Sequence, residues 1–269
     1  MTKKKLQTNF KRIETKYILD SATLKELKRD LEPYLVDDDY ARSSISNIYF
    51  DTDDYQVIQD SLARINGREK LRMRTYEAEP TDQSPVFLEI KKKEDEIGYK
   101  YRLLSNPSSV LDFIERGVRD ETIDDERMVE ELALLQGRYF DLKPKMFIAY
   151  DRHSLKAKRE PKLRLTIDSN LVYRDYDLDL TAGRHGYPLL DEDKVILEIK
   201  VSGQYPSWLT QALDKYQLVD QSFSKYGNAY LKARERLVSL VKSWGGCQCL
   251  NNYLIVFFWP RRSRCTPWC

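Results

Sequence analysis

The residues best equipped for chemistry in this chain are Lys, Arg and Glu, set at every second position of short segments. From Phe10 to Leu19, Arg12, Glu14 and Lys16 share one face, with Ile13, Tyr17 and Leu19 on the other. Lys70 to Tyr76 sets Lys70, Arg72 and Arg74 opposite Leu71 and Met73, and Val86 to Lys92 sets Glu89 and Lys91 opposite Leu88 and Ile90. Gly98 to Leu103 does the same with Lys100 and Arg102. Further along, Tyr150 and Arg152, then Lys162, Arg164 and Asp168, then Glu198 and Lys200 repeat the pattern. Period two is the signature of a strand with two unlike faces. Guanidinium groups grip phosphate oxygens bidentately and ammonium groups act as point charges. A hard divalent cation needs one or two carboxylates and takes its other ligands from phosphate and water. Glu198, assisted by Glu14 or Glu89, suits that role. The combination points to phosphoryl transfer, which depends on positioning and charge neutralisation.

These side chains need a frame that brings them together. With Ile45 to Asp51 added, the sequence offers about eight strands. Helical patterns separate or flank them: Ala22 to Leu31, Pro107 to Arg116 with Asn106 as N-cap, Asp125 to Gln136, Pro206 to Val219 and Asn228 to Val241. The expectation is an α+β protein: an eight-stranded antiparallel β-barrel, helices packed outside and charged residues within. Unpaired buried charges are too costly for a dry interior, so the lumen is expected to hold water, a metal and a polyanion. Basic strand followed by Glu-x-Lys strand occurs twice, as Lys70-Leu71-Arg72 with Glu89-Ile90-Lys91 and as Lys162-Leu163-Arg164 with Glu198-Ile199-Lys200. This echo suggests a pseudo-repeat forming opposing walls.

Composition narrows the function. The 269 residues carry 45 Lys plus Arg against 43 Asp plus Glu, a formal charge of +2 that argues against a nucleic-acid binder with a wholly basic surface. The 2 His, His153 and His185, leave no room for a His-rich zinc site and read as surface loop residues. Tyr49, Tyr150 and Trp208 read as core or helix-packing residues, and Asp120 to Glu131 as the solvated face of an outer helix. No run approaches the roughly 18 apolar residues of a membrane span, so a cytoplasmic location is expected. All 4 Cys follow Gly246. The expected division is a flexible N-terminus over 1–8, one domain over 9–244 and a Cys- and Trp-containing tail over 245–269 outside the fold.

Phe10 to Tyr17, Ile48-Tyr49-Phe50-Asp51-Thr52, the strands around Arg72, Glu89, Arg164 and Glu198, Tyr150-Asp151-Arg152, Pro206-Ser207-Trp208-Leu209 and Phe223-Ser224-Lys225-Tyr226 resemble, in order, the VTC domain. That is the polyphosphate polymerase domain of the vacuolar transporter chaperone complex and its bacterial relatives, and the resemblance covers roughly Asn9 to Val241. It implies a triphosphate tunnel fold related to CYTH domains, with transfer of the γ-phosphate of ATP, or another nucleoside triphosphate, to polyphosphate using manganese or magnesium. Carried over by position, catalytic roles fall on Lys16, Arg72, Arg74, Glu198 and Lys225. Phosphate binding falls on Arg12, Lys91, Arg152, Arg164, Lys200 and Ser224, and metal binding on Glu198 with Glu14 and Glu89. Two departures stand out. The superfamily's Glu-x-Glu-x-Lys reads Arg12-x-Glu14-x-Lys16 here, which suits the VTC branch over cyclases and thiamine-triphosphatases. Ser222 stands where the polymerase has a further lysine. Tripolyphosphate hydrolysis and plain binding of polyphosphate or inositol phosphate are the alternatives, and a membrane-protein partner would be needed for any translocation.

Overall fold

The computed structural model describes residues 13–243. Arg12 and the segments 1–8 and 245–269 lie outside the described residues, with all four Cys. By contacts the chain divides into two units, Met1–Tyr230 and Leu231–Cys269. The second unit is described only as the continuation of a helix to Ser243. Everything below concerns the first.

In chain order the elements are β1 (Ile13–Asp20), α1 (Ser21–Leu31), β2 (Leu35–Asp51), α2 (Gln56–Leu62), β3 (Arg68–Thr75), β4 (Val86–Glu94) and β5 (Ile97–Ser105). There follow α3 (Pro107–Arg116), α4 (Glu126–Arg138), β6 (Lys143–Ala157), β7 (Arg164–Arg174), β8 (Tyr187–Pro188), β9 (Lys194–Val201), α5 (Ser207–Lys215) and α6, which starts at Lys225. One antiparallel sheet runs β1-β9-β7-β6-β2-β3-β4-β5, with the short β8 paired to β7. The eight strands read from alternation are therefore present and joined in a single sheet. No pairing among the described residues joins β1 to β5, so closure into the expected barrel is not seen.

The apolar half of each alternation faces the helices. Leu71, Met73, Leu88, Ile90 and Leu103 pack with Phe113 of α3 and Met128, Leu132 and Leu135 of α4. A second cluster joins Tyr17, Leu165, Leu197 and Ile199 to Leu27 and Leu31 of α1 and Leu209 and Leu213 of α5. Each fully buried Leu or Ile contributes about 1.5–3 kcal/mol, which anchors the sheet's outer face and leaves its charged face inward. Register shifts in the β2–β6 pair and the β6–β7 pair introduce the irregularities that let long strands bend.

The helix ends follow from local chemistry. Asn106 accepts the Ser109 amide at 3.0 Å, Pro107 occupies the first turn, and Gly117 closes α3 with φ 69°, a conformation that costs glycine nothing. Asp20 caps α1 through the Thr23 amide at 2.7 Å, and Asp125 caps α4. The helix absent from the sequence reading is α2. It has 7 residues and no side-chain cap from its flanking Tyr55. Its cap comes from Asp51 at the end of β2, which accepts the Val57 and Ile58 amides at 2.8 and 3.0 Å.

Candidate functional site: a basic cavity on the inner face of the sheet

The inward residues of the strands open onto one cavity of about 360 Å³. Glu14 and Lys16 reach it from β1 and Lys100 from β5, the two ends of the strand order. The sheet therefore curls until its edge strands face the same space. Lys70, Arg72 and Arg74 of β3 and Lys91 of β4 line it, as do Arg152 of β6 and Glu198 and Lys200 of β9. Ser224 and Lys225 enter from the start of α6. Of the expected site residues that are described, all but Arg164 and Glu89 are brought to this surface. Nine Lys and Arg side chains line it against two Glu.

Two buried carboxylates organise the cations. Glu89 is fully buried and accepts Arg72 Nε and Nη2 at 2.8 and 2.6 Å on one oxygen. Its other oxygen meets Lys100 at 2.7 Å and Arg102 at 3.2 Å. Burial opposes its ionisation, but Arg72, Arg74 and Lys100 outweigh it, so the carboxyl is held well below the usual range. Asp168, also fully buried, takes Arg152 bidentately at 2.6 and 2.7 Å and Lys225 at 2.6 Å. Against the cost of burial, Lys225 and Arg152 keep it ionised. The sequence reading placed Asp168 on the charged face but gave it no role. Its two cations come from a strand and from a helix 57 residues away in sequence, which no local signal announces.

Other cations are left with positive charge to spare. Arg74, 6% exposed, donates to Asn47 Oδ1 at 2.8 Å, Tyr150 Oη at 2.9 Å and Tyr76 Oη at 3.5 Å, all neutral partners. Lys70 and Lys91 have no hydrogen-bond or ion-pair partner among the described residues. Lys91 is exposed to the concave space it borders. Poor solvation there, with Arg72 and Arg74 close by, pushes its ammonium well below the ordinary lysine range despite Glu14 and Glu89. Burial lowers Lys70 likewise. Counted as formal charges, and with Glu89 and Asp168 added to the two lining Glu, the cavity retains an excess of five positive charges among the described residues.

Tyr49 and Tyr150 are buried, as expected of core residues, but they face the cavity. Tyr49 Oη accepts from Arg72 at 3.0 Å, and although burial works against ionisation, Arg72 and Arg74 hold its phenol below the usual range. Tyr226 stacks on Tyr49 with centroids 4.6 Å apart and donates to Asp51 at 2.7 Å. The carboxylate that caps α2 thus also fixes the aromatic backing of Arg72. Trp208 stacks on Tyr34 at 4.6 Å, a packing role. His153 is not a loop residue: it lies within β6 and contacts Asp37 at 2.7 Å.

The segment before α6 is tied to β1. Lys16 Nζ donates to the Phe223 carbonyl at 2.9 Å, and the Gln221 amide to the Lys16 carbonyl at 2.8 Å. Ser224 Oγ accepts the Gly227 amide at 3.2 Å, so this residue caps the helix whose first turn carries Lys225.

Two expectations need correction. Arg164 does not line the cavity: although it pairs in register with the cavity residue Lys200, its side chain is 61% exposed and lies 3.8 Å from Asp38. The three carboxylates expected to share a metal do not assemble either, since Glu89 is engaged by Arg72, Lys100 and Arg102. Among the described residues no group of three or more His, Cys, Asp or Glu could hold an ion. Glu198 is ion-paired with Lys200 and Glu14 lies 3.7 Å from Lys16. For Glu198, burial is outweighed by Lys200, Lys16 and Lys225, which keep it ionised well below the usual range. These two carboxylates fit an ion that arrives carrying phosphate ligands rather than one caged by protein.

The chain is thus an α+β protein whose antiparallel sheet curls around a strongly basic cavity. The chain belongs to the VTC domain family, which it matches over residues 11–234. It is 27% identical over 294 aligned positions to vacuolar transporter chaperone complex subunit 4 of Schizosaccharomyces pombe, covering 88% of this chain and 39% of that protein. Subunit 2 of the same complex from Saccharomyces cerevisiae is 27% identical over 151 residues, 48% of this chain and 18% of that protein. The chain thus spans well under half the length of these relatives. Among solved structures, a candidate adenylate cyclase of Bacillus halodurans superposes with a TM-score of 0.47 at 16% identity, covering 79% of this chain and 93% of that one. A counterpart from Vibrio parahaemolyticus gives 0.41 at 11%, covering 82% and 98%. No helix among the described residues is long and apolar enough to cross a membrane.

Proposed function

We propose that this protein transfers the terminal phosphoryl group of ATP to a polyphosphate chain. The observation that carries the reading is the excess formal positive charge of a concave cavity in which Lys70 and Lys91 have no hydrogen-bond or ion-pair partner among the described residues. Three linked phosphates carry about four negative charges near neutral pH, and such a ligand supplies the missing counter-charge where low dielectric makes it count. In the reaction, the bond from the γ-phosphorus to the bridging oxygen of the nucleotide breaks and one to a terminal oxygen of the acceptor forms. The electron pair stays on the departing diphosphate, and no net proton moves. Arg72 and Arg74 grip and orient, Lys16, Lys91 and Lys225 neutralise, and Glu198 with Glu14 would hold a divalent ion. Such an ion, when bound, adds charge neutralisation on the phosphate oxygens.

Two of the three candidate carboxylates are poorly suited to hydrolysis. Water as acceptor calls for a base; Glu89 and Glu198 are both held well below the usual carboxylate range by their cations, which makes them weak ones, and Glu14 is the cavity carboxylate left for that role. A polyphosphate terminus is already anionic. Purified protein with ATP and manganese is expected to release ADP and accumulate an acid-labile polymer. Orthophosphate without polymer would assign hydrolysis, and binding with no nucleoside diphosphate from any common triphosphate and metal would leave only a binding module.

A further inference from the structure

Towards one end of the inner face three neighbouring strands change character, β4 and β5 at the level of Arg74 and β3 one inward position later. Along β3 the inward residues read Lys70, Arg72, Arg74 and then Tyr76 just past the strand. β4 reads Lys91, Glu89, Phe87, and β5 reads Lys100, Arg102, Leu104. The register sets Arg74 beside Phe87 and Phe87 beside Leu104, so Tyr76, Phe87 and Leu104 form a shelf where the charged layers end. Tyr76 lines the cavity and is 41% exposed, and Leu104 is 55% exposed. Tyr76 and Phe87 meet edge to face at 5.8 Å, and the Arg102 guanidinium lies 3.5 Å from the Phe87 ring centre. Arg102 also donates to Tyr76 Oη at 3.2 Å. An exposed tyrosine ring beside a guanidinium that is itself stacked on a phenylalanine offers flat surfaces to a ring system, and does so for any base because every base has a π face.

Resting on the reading that a triphosphate fills the cavity, we propose that the Tyr76, Phe87 and Leu104 shelf, with Arg102, receives the nucleoside of that triphosphate. A ligand that is polyanionic at one end and aromatic at the other matches the step from cations to rings. Tyr76 stands two residues beyond Arg74, about 7 Å along the strand. The nucleoside end then lies next to Arg74, and the Lys70, Lys91 and Lys100 layer is left for the terminal phosphoryl and its acceptor. Nothing on the shelf offers a patterned set of donors and acceptors to a base edge, so purines are preferred to pyrimidines by stacking area alone.

The test is calorimetry of ATP and of inorganic tripolyphosphate on the full chain, wild type against Tyr76→Ala, Tyr76→Phe and Leu104→Ser. Tyr76→Ala is expected to weaken ATP about tenfold and Leu104→Ser less, with tripolyphosphate unchanged within about twofold. Tyr76→Phe keeps the ring and is expected to keep ATP affinity. If both ligands weaken alike, Tyr76 acts by holding Arg74 and the proposal falls; if ATP is unaffected by every variant, it falls as well. Shelf-dependent ATP binding without polymer formation would uphold the shelf while removing the polymerase reading. Failure of wild type to bind either triphosphate would remove both.

Discussion

Lys70-Leu71-Arg72 with Glu89-Ile90-Lys91, and Lys162-Leu163-Arg164 with Glu198-Ile199-Lys200, spell nearly the same two strands twice. In the first pair, β3 against β4, the register sets Arg72 beside Glu89 and Lys70 beside Lys91. In the second, β7 against β9, Arg164 falls beside Lys200, and Glu198 beside Thr166. The second pairing is offset by two residues relative to the first. An offset of two keeps every side chain on its face but changes every cross-strand partner. Glu89 consequently meets an arginine and becomes a buried fastener beneath the cavity. Glu198 meets Thr166 on one side and Lys16 of β1 on the other, pairs along its own strand with Lys200, and borders the cavity while only 5% exposed.

The comparison is broken most forcefully by removing the two glutamates in parallel. Glu89→Ala leaves Arg72 buried without its counter-charge, and breaking such a pair costs about 3–5 kcal/mol, measurable by urea denaturation. Glu198→Gln is expected to hold stability to within about 1 kcal/mol, since Lys200 keeps solvent contact, and to abolish ADP release. Equal destabilisation of the two variants would show that the walls do not differ as described.

A second contrast concerns the unpartnered cations. Lys91→Met removes a charge from a crowded set, so the ligand-free protein is expected to melt no lower than wild type while tripolyphosphate affinity drops tenfold or more. Lys91 also predicts a pH dependence. Its pKa is depressed in the empty cavity and raised when a polyanion neutralises its surroundings, so the complex binds more protons than the free protein. Affinity is then fully present below the depressed value and declines as pH rises through the ligand-bound one. Calorimetry in two buffers of different ionisation enthalpy, at a pH inside that window, should register proton uptake. Smaller effects lie at the margins. Ser222→Lys restores a cation beside Glu14 and Lys16 at the cavity mouth and is expected to strengthen polyphosphate binding about two- to fivefold at low salt. Arg164→Ala, outside the cavity, should change it less than twofold.

The strand faces were legible throughout because alternation is written residue by residue. Leu88 and Ile90 fall outward and Glu89 and Lys91 inward whatever lies next to them. The Asn106 cap and the start of α3 were legible for the same reason. What escaped depends on distant partners. The cap of α2 lies at the end of a strand, and Asp168 takes its meaning from Arg152 and Lys225. Tyr49 looks like any core tyrosine until Arg72 and Tyr226 are placed against it.

Alternating charge and apolarity settled, from the chain alone, that a sheet would turn a strongly charged face away from its helices, and which residues that face would carry. It could not settle that Glu89 and Glu198 differ, that Arg164 turns away from the cavity, or that Tyr76 lines it beyond Arg74. Those follow from strand register and from the curl that brings β1 and β5 to one space. Both are non-local, because the side chain opposite each strand residue is chosen by the folded sheet and not by its neighbours in sequence.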